Sequence, residues 1–241
     1  MKMNLCIVIP TYNEINNIET LIKRIKANTK DIKLLVLFVD DNSPDNTSQE
    51  ITRVSNKYNS NNFKISLIKR KNKQGLGTAY IEGFQKVIDM NKFSHLLQMD
   101  ADLSHNPKYI KNFIRNMDGK SLIIGSRYIK KGSTPDWSFQ RRIISKFGNL
   151  YLKIMLGSNI NDYTTGYNLI KIDVLKKINL QKINSRGYSF LAELKYKIYT
   201  IDNNVVEIPI TFNDRKFGKS KLPKSTIPAT LILPFKLKNN K

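Results

Sequence analysis

An α/β fold with a central, mostly parallel sheet flanked by helices is predicted by three features of the sequence. Short β-branched or Leu-rich runs alternate with segments whose apolar residues recur every three or four positions. The apolar runs lack a polar face, as expected of strands covered by helices on both sides. Polar and acidic residues gather directly after four of these runs, at the carboxyl ends where open α/β sheets hold their ligands.

The elements follow in order. Leu5–Ile9 reads as a buried strand closed by Pro10, and Ile15, Ile18, Leu21, Ile22 and Ile25 mark one face of a helix. Leu34–Val39 is a second strand, with a polar helix after Asp45. Ile65–Ile68 is a third, followed by a helix from Thr78 to about Met90. Leu96–Met99 and Leu122–Ile124 are the fourth and fifth, with a helical Lys108–Met117 between them. Tyr128–Trp137 is a loop, and Phe139–Leu156 a long amphipathic helix. Val205–Phe212 is strand-like, with Pro209 marking an edge. Asn213–Lys224 is a basic loop, and Ile227–Leu237 a short apolar tail broken by Pro228 and Pro234. No repeat or linker divides the chain, so residues 1–225 are expected to form a single domain and 226–241 a basic and apolar tail suited to membrane contact.

With 241 residues, 40% hydrophobic and 25% charged, the chain can bury a sizeable core and lies outside the composition of disordered proteins. The single Cys6 excludes a disulfide scaffold and points to a reducing compartment. No apolar run approaches the roughly 20 residues that a spanning helix needs. Leu5–Ile9 is too short for a signal-peptide core. The expectation is a protein of the cytosol or of a cytosol-facing surface.

Lys and Arg number 41 against 19 Asp and Glu, a net charge of +22. Such a balance calls for anionic partners: nucleic acid, lipid headgroups or phosphorylated small molecules. Part of the excess is spread evenly through a chain rich in Lys, Asn and Ile. From Arg215 to Lys241, however, there are eight Lys or Arg and no acid. A nucleic-acid surface would interleave aromatics on a basic face. Here the basic residues surround a carboxylate-lined crevice, and no nucleic-acid partner is expected.

Asp100-Ala101-Asp102 follows the fourth strand directly. Two carboxylates one residue apart, on a turn leaving a buried strand, present hard oxygens to one divalent cation. Mg²⁺ or Mn²⁺ suits them and in turn bridges diphosphate oxygens. The same pattern also serves as a turn whose Asp side chains cap the next helix. In Asp40–Asp45, Asp40 and Asp41 are expected to face the crevice, where a carboxylate bonds a ribose hydroxyl or a base edge. Asp45 is expected to cap the helix starting near Asn46. Gly75-Leu76-Gly77 is neither a Walker loop nor a complete GxGxxG, and reads as a tight turn. Arg127, within Gly125–Tyr128, is placed to neutralise a leaving diphosphate. Arg215–Lys221 is a Gly-hinged basic loop, suited to phosphate or simply solvated. The helix from Phe139 carries a wide apolar face with Arg and Lys beside it, which fits either the core or a membrane interface.

Taken together, Val8-Ile9-Pro10-Thr11-Tyr12-Asn13-Glu14, Asp40–Asp45 and Asp100–His105 make this sequence resemble the family 2 glycosyltransferases of GT-A fold. Gly75–Tyr80, Gly125–Tyr128, Arg141-Arg142-Ile143-Ile144-Ser145 and Asp214–Lys221 match, in the same order, the subgroup of dolichyl-phosphate mannose synthase catalytic subunits. The resemblance runs from about Leu5 to Leu222. It implies inverting transfer of mannose from GDP-mannose to dolichyl phosphate, with a dolichyl-phosphate glucosyltransferase using UDP-glucose as the alternative. It implies that Pro10, Tyr12 and Glu14 line the guanosine pocket with Val39 and Asp41. Asp100, Ala101 and Asp102 would meet the nucleotide sugar, Asp100 and Asp102 also holding its Mg²⁺ or Mn²⁺. Arg127, Arg215 and Lys221 would bind the phosphates, and with Asp102 they are the residues expected to carry catalysis. The chain departs from the pattern at Ser104, where archaeal relatives have a metal-binding Gln, and at Asn168, where many relatives have a basic residue. An acceptor phosphate is ionised at neutral pH, so the presence of only His95 and His105 is no obstacle. Some members carry membrane helices and others borrow small membrane subunits. The implied location is the cytosolic face of the endoplasmic reticulum membrane, held through the membrane surface or such subunits.

Overall fold

The alternation of apolar runs and amphipathic segments folds into the α/β arrangement that it predicts. The computed structural model describes residues 4–239 except 184, 186 and 215–225. Its first half runs β1 (Asn4–Thr11), α1 (Ile15–Asn28), β2 (Lys33–Asp40), α2 (Thr47–Tyr58), β3 (Phe63–Lys69), α3 (Leu76–Met90), β4 (His95–Gln98), α4 (Ile110–Arg115) and β5 (Leu122–Ser126). The second half adds α5 (Phe139–Leu156), β6 (Asn168–Lys171), α6 (Ile172–Leu175), α7 (Tyr188–Ile201), β7 (Val205–Pro209) and α8 (Thr226–Asn239). The strands form one seven-stranded sheet in the order β3-β2-β1-β4-β6-β5-β7.

Residues of β1 alternate between two cores, as the two-residue period of a strand requires. Leu5, Ile7 and Ile9 join α1, α2 and α4 on one face. Cys6 and Val8 join α3, α6 and α7 on the other. Gly83 lets α3 approach closely, since a Cβ there would stand 2.6 Å from Val8 Cγ1 and 3.0 Å from Val39 Cγ2. That approach sets the height of α3, and with it Tyr80, above the sheet.

Three second-half elements were not foreseen. β6 pairs antiparallel with both β4 and β5, so it begins at the edge where the parallel strands end. Gln98 of β4 lies opposite Asn168 of β6, which brings the turn before β6 beside the turn after β4. The short α6 follows β6 directly. α7 escaped notice because Glu193 and Lys195, both buried, interrupt its apolar pattern. Ile227–Leu237, expected as a broken tail, lies within α8, which packs on α5 and α7. Pro228 sits in its first turn, where a missing N–H is tolerated, and Pro234 lies inside it. Leu233 is buried in the core, and Tyr151 of α5 donates to the carbonyl of Leu231. β7 is an edge strand, as Pro209 indicated.

Candidate active site

β2, β1 and β4 end side by side, so Thr11–Glu14, Asp40–Asp45 and Asp100–His105 share one edge. Thr11 pairs with Asp40 in register and donates its hydroxyl to Asp40 Oδ1 at 2.9 Å. Asp40, expected to face the crevice, is instead fully buried. Its other oxygen accepts from Ser43 N and Ser48 Oγ, so this carboxylate shapes the loop. Asp45 accepts from Thr47 N and from Ile15 N, which ties together the starts of α2 and α1. Asp41 pairs with the buried Arg70 at 2.8 Å and accepts the backbone N–H groups of Gln74 and Gly75. It thereby closes the loop that leads into α3.

Tyr12 lies at the mouth, half-buried, with the Lys73 ammonium 3.7 Å from its ring centroid. Glu14 accepts from Asn17 Nδ2 at 2.7 Å. Pro10, Val39 and Ala101 are buried, and Pro10 pairs with Val39 in register.

The Asp-x-Asp turn is held from several sides. Asp100 is partly exposed, and its Oδ1 accepts the Tyr80 hydroxyl at 3.0 Å. Asp102 is 8% exposed, and its Oδ1 accepts from Ser104 N at 3.1 Å and from Ser104 Oγ at 2.5 Å. Ser104 therefore orients Asp102. The backbone N–H of Asp100 donates to His105 Nδ1 at 3.0 Å, which makes that nitrogen the acceptor and leaves the ring proton on Nε2. Burial pushes the His105 pKa below its ordinary value, against the opposing charges of Asp100 and Asp102. His105 is a neutral brace, stacked on Tyr167.

Among the described residues, no three His, Cys, Asp or Glu side chains come together as a metal cluster. Asp100 and Asp102 supply hard oxygen donors only. That donor set fits a hard divalent ion such as Mg²⁺ or Mn²⁺.

Arg127 turns inward. It is 5% exposed, with Nε and Nη2 on Asp162 at 2.8 and 2.7 Å, and Nη2 also on Thr164 Oγ1. The rings of Tyr128, Trp137 and Phe212 surround its guanidinium within 5.5 Å. Burial works against the Asp162 charge, yet Arg127 holds that carboxyl below the usual range. Lys195 of α7 is fully buried beneath the same turn, and burial pushes its ammonium down to about 7, opposed by Asp162. Arg215 and Lys221 lie outside the described residues.

The sequence reading missed Arg70, Tyr80, Asp162 and Lys195 as parts of the site. Tyr80 opens a helix next to the Gly75–Gly77 turn, which was the available signal. For Lys195 there was none, since nothing local marks a lysine as buried.

Residues 6–179 match the pattern of "Glycosyl transferase family 2". The chain belongs to that family. Over 222 residues it is 36% identical to the polyprenol monophosphomannose synthase of Mycolicibacterium smegmatis, covering 92% of this chain and 82% of that one. Over 221 residues it is 36% identical to the undecaprenyl-phosphate mannosyltransferase of Micrococcus luteus, covering 91% and 88%. Among solved structures, glucosyl-3-phosphoglycerate synthase from Mycobacterium tuberculosis in complex with UDP superposes with a TM-score of 0.66. That match covers 96% of this chain and 80% of the other at 14% identity, a likeness of fold alone. The fold is GT-A.

The same family membership frames α5. Its buried residues are Asn149, Leu152 and Leu156, while Phe139, Ile144, Phe147, Leu150 and Ile154 are exposed. Leu231, Ile232 and Phe235 of the adjoining α8 are exposed as well. Much of the apolar face of α5 therefore points away from the core. No helix among the described residues is long and apolar enough to cross a membrane.

Proposed function

We propose that this glycosyltransferase moves a mannosyl group from a nucleotide diphosphate sugar to the phosphate of a polyprenyl phosphate. The observation that carries the reading is the 36% identity, over most of the chain, to two proteins named for joining mannose to a polyprenyl phosphate. More narrowly, the donor is GDP-mannose, the acceptor dolichyl phosphate, and the product dolichyl β-D-mannosyl phosphate.

The inventory of the crevice supports this chemistry. A phosphate oxygen of the acceptor attacks the anomeric carbon as the bond from that carbon to the GDP oxygen breaks, so the sugar inverts. The nucleophile is already ionised, and neutral, braced His105 need not act as a base. The protein's task is to align two anions and offset their repulsion. Pro10, Tyr12, Glu14, Val39 and Asp41 form the nucleoside end, and Ala101 the floor below the sugar. Asp100 and Asp102 would hold a divalent cation, whose charge would offset that of the leaving diphosphate. Arg215 and Lys221 are assigned to the phosphates, while Arg127, expected to join them, is turned onto Asp162 and supports the site through that carboxylate.

A polyprenyl acceptor lies in a bilayer, so the enzyme must reach a membrane surface. The exposed apolar residues of α5 and α8, bordered by Arg142, Lys146, Lys236 and Lys238, suit the interface of an anionic leaflet. Small anchoring subunits are a further means of attachment, and the endoplasmic reticulum is the membrane in which dolichyl phosphate would be met.

The test is a transfer assay with protein, Mn²⁺, vesicles containing a polyprenyl phosphate, and labelled GDP-mannose or UDP-glucose. Lipid-extractable label is expected from GDP-mannose alone and is expected to vanish in Asp102→Asn. Label from UDP-glucose alone would replace the donor with a glucosyl one, and label from neither would overturn the reading.

A further inference from the structure

The turn before β6 has no helix or strand of its own, yet buried side chains from two helices, and that of Asp162 at its own start, engage most of its backbone polar groups. Asn149 of α5 accepts from Tyr163 N at 2.7 Å and Thr164 N at 3.2 Å, and donates to Thr164 Oγ1 at 3.0 Å. Asp162, fixed by Arg127 at the end of β5, accepts from Thr165 N at 3.1 Å. Lys195 of α7 donates to Tyr163 O at 2.9 Å and Thr165 O at 2.6 Å. All three side chains are 1% exposed or less. A lysine costs more to bury than almost any other side chain, and here its ammonium is spent on two carbonyls of one turn.

The next residue explains what that order achieves. A Cβ built on Gly166 would stand 3.3 Å from Asp100 Oδ1, 3.5 Å from Asp100 Oδ2 and 3.4 Å from His105 Cε1. The Asp100 carboxylate thus borders the space that a side chain at Gly166 would take. Tyr80 holds the carboxylate by its Oδ1. Displacement of the turn by a few tenths of an ångström alters the direction in which the remaining lone pairs point.

We propose that Lys195, together with Asn149 and Asp162, is a positioning residue that clamps the Thr164–Gly166 turn, and that the turn fixes the orientation of Asp100 toward its cation. The proposal rests on the reading of Asp100 as a metal ligand. It assigns Lys195 no contact with substrate and Gly166 no role in folding beyond its missing side chain. A side chain there would press on Asp100, while the backbone φ of Gly166 lies outside the left-handed region.

The experiment is a titration of the full chain with Mn²⁺ in the presence of GDP, read by the loss of the free Mn²⁺ paramagnetic resonance signal. Transfer kinetics and a thermal melt accompany it. Gly166→Ala leaves the buried clamp intact and presses directly on Asp100, and Lys195→Met removes the clamp from below. Both are expected to weaken Mn²⁺ binding about tenfold or more, and saturating Mn²⁺ is expected to restore much of the kcat lost by Gly166→Ala. Asp102→Asn is the control for loss of a ligand. If Gly166→Ala melts like wild type and binds Mn²⁺ like wild type, the positioning role is overturned while the metal site stands. If wild type itself binds no Mn²⁺ with GDP present, the metal reading fails and the proposal fails with it.

Discussion

Tyr80 donates its phenolic hydrogen to Asp100 Oδ1 across 3.0 Å, joining the first turns of α3 to the end of β4. Tyr80 is fully buried, with its ring stacked 6.0 Å from that of Phe190. Burial, and then the charge of Asp100, raise its pKa well above the ordinary tyrosine value, so the hydroxyl remains a donor at any working pH. Tyr80→Phe keeps the ring packing and removes only the bond. The expected loss in kcat/KM is about tenfold, roughly 1.4 kcal/mol, with little change in melting temperature. Steady-state transfer kinetics check this, and an unchanged kcat/KM would make the hydroxyl a packing detail.

The Arg127–Asp162 pair sets a second expectation. Both side chains are buried, and Asp162 accepts from Arg127 N, Nε and Nη2 as well as from Thr165 N. Removal of one member leaves the other charge buried and unmatched, which typically costs about 3–5 kcal/mol. Asp162→Ala is therefore expected to lower stability by about that amount, measured by urea denaturation. Arg127→Ala should destabilise as well as slow transfer, unlike a residue that only touches phosphate. A stable but inactive Arg127→Ala would argue that the guanidinium swings out to the substrate.

The two halves of the chain differ in how far they could be read, for a physical reason. In the first half each strand is built on a short, largely apolar run and each helix shows one apolar face, so local pattern and tertiary environment agree. The position of Asp100 and Asp102 at the crevice could be read because they directly follow a buried strand, whose carboxyl end opens there. Asp40 was misread because its partners Ser43 and Ser48 are as common in exposed loops as in buried networks. In the second half, β6 runs against its neighbours, and α7 buries a lysine and a glutamate in what must be an apolar environment. The partners that make Lys195 tolerable lie 30 and 32 residues away, beyond the reach of any local pattern.

The exposed face of α5 gives a third expectation. Phe147 is 65% exposed and Ile154 68%, so their replacement removes little from the core. Phe147→Glu with Ile154→Glu places two acids on a face that is otherwise apolar and bordered by Lys146 and Lys153. Co-sedimentation with vesicles of phosphatidylcholine and phosphatidylserine is expected to fall at least tenfold, with the melting temperature unchanged. Transfer to a short, water-soluble polyprenyl phosphate should survive the change. Wild-type sedimentation by the double variant would show that another surface of the chain holds the membrane.

The last expectation concerns pH. Lys195 titrates near 10.5 when exposed and near 7 in its buried site, chiefly through desolvation. Between those values the unfolded chain binds more protons than the folded one, so this residue makes stability rise with pH. Below about 7 both states are charged and the burial penalty is fully present, whereas above it the folded protein sheds the proton and the penalty declines. The neutral amine still has two hydrogens for the carbonyls of Tyr163 and Thr165, so the clamp persists. Wild type minus Lys195→Met isolates the effect, since the other titrating groups are common to both. Urea midpoints from about pH 6 to about pH 9 are expected to show wild type gaining on the variant across this range. A difference that stays flat would show that Asp162 keeps the ammonium charged inside the fold.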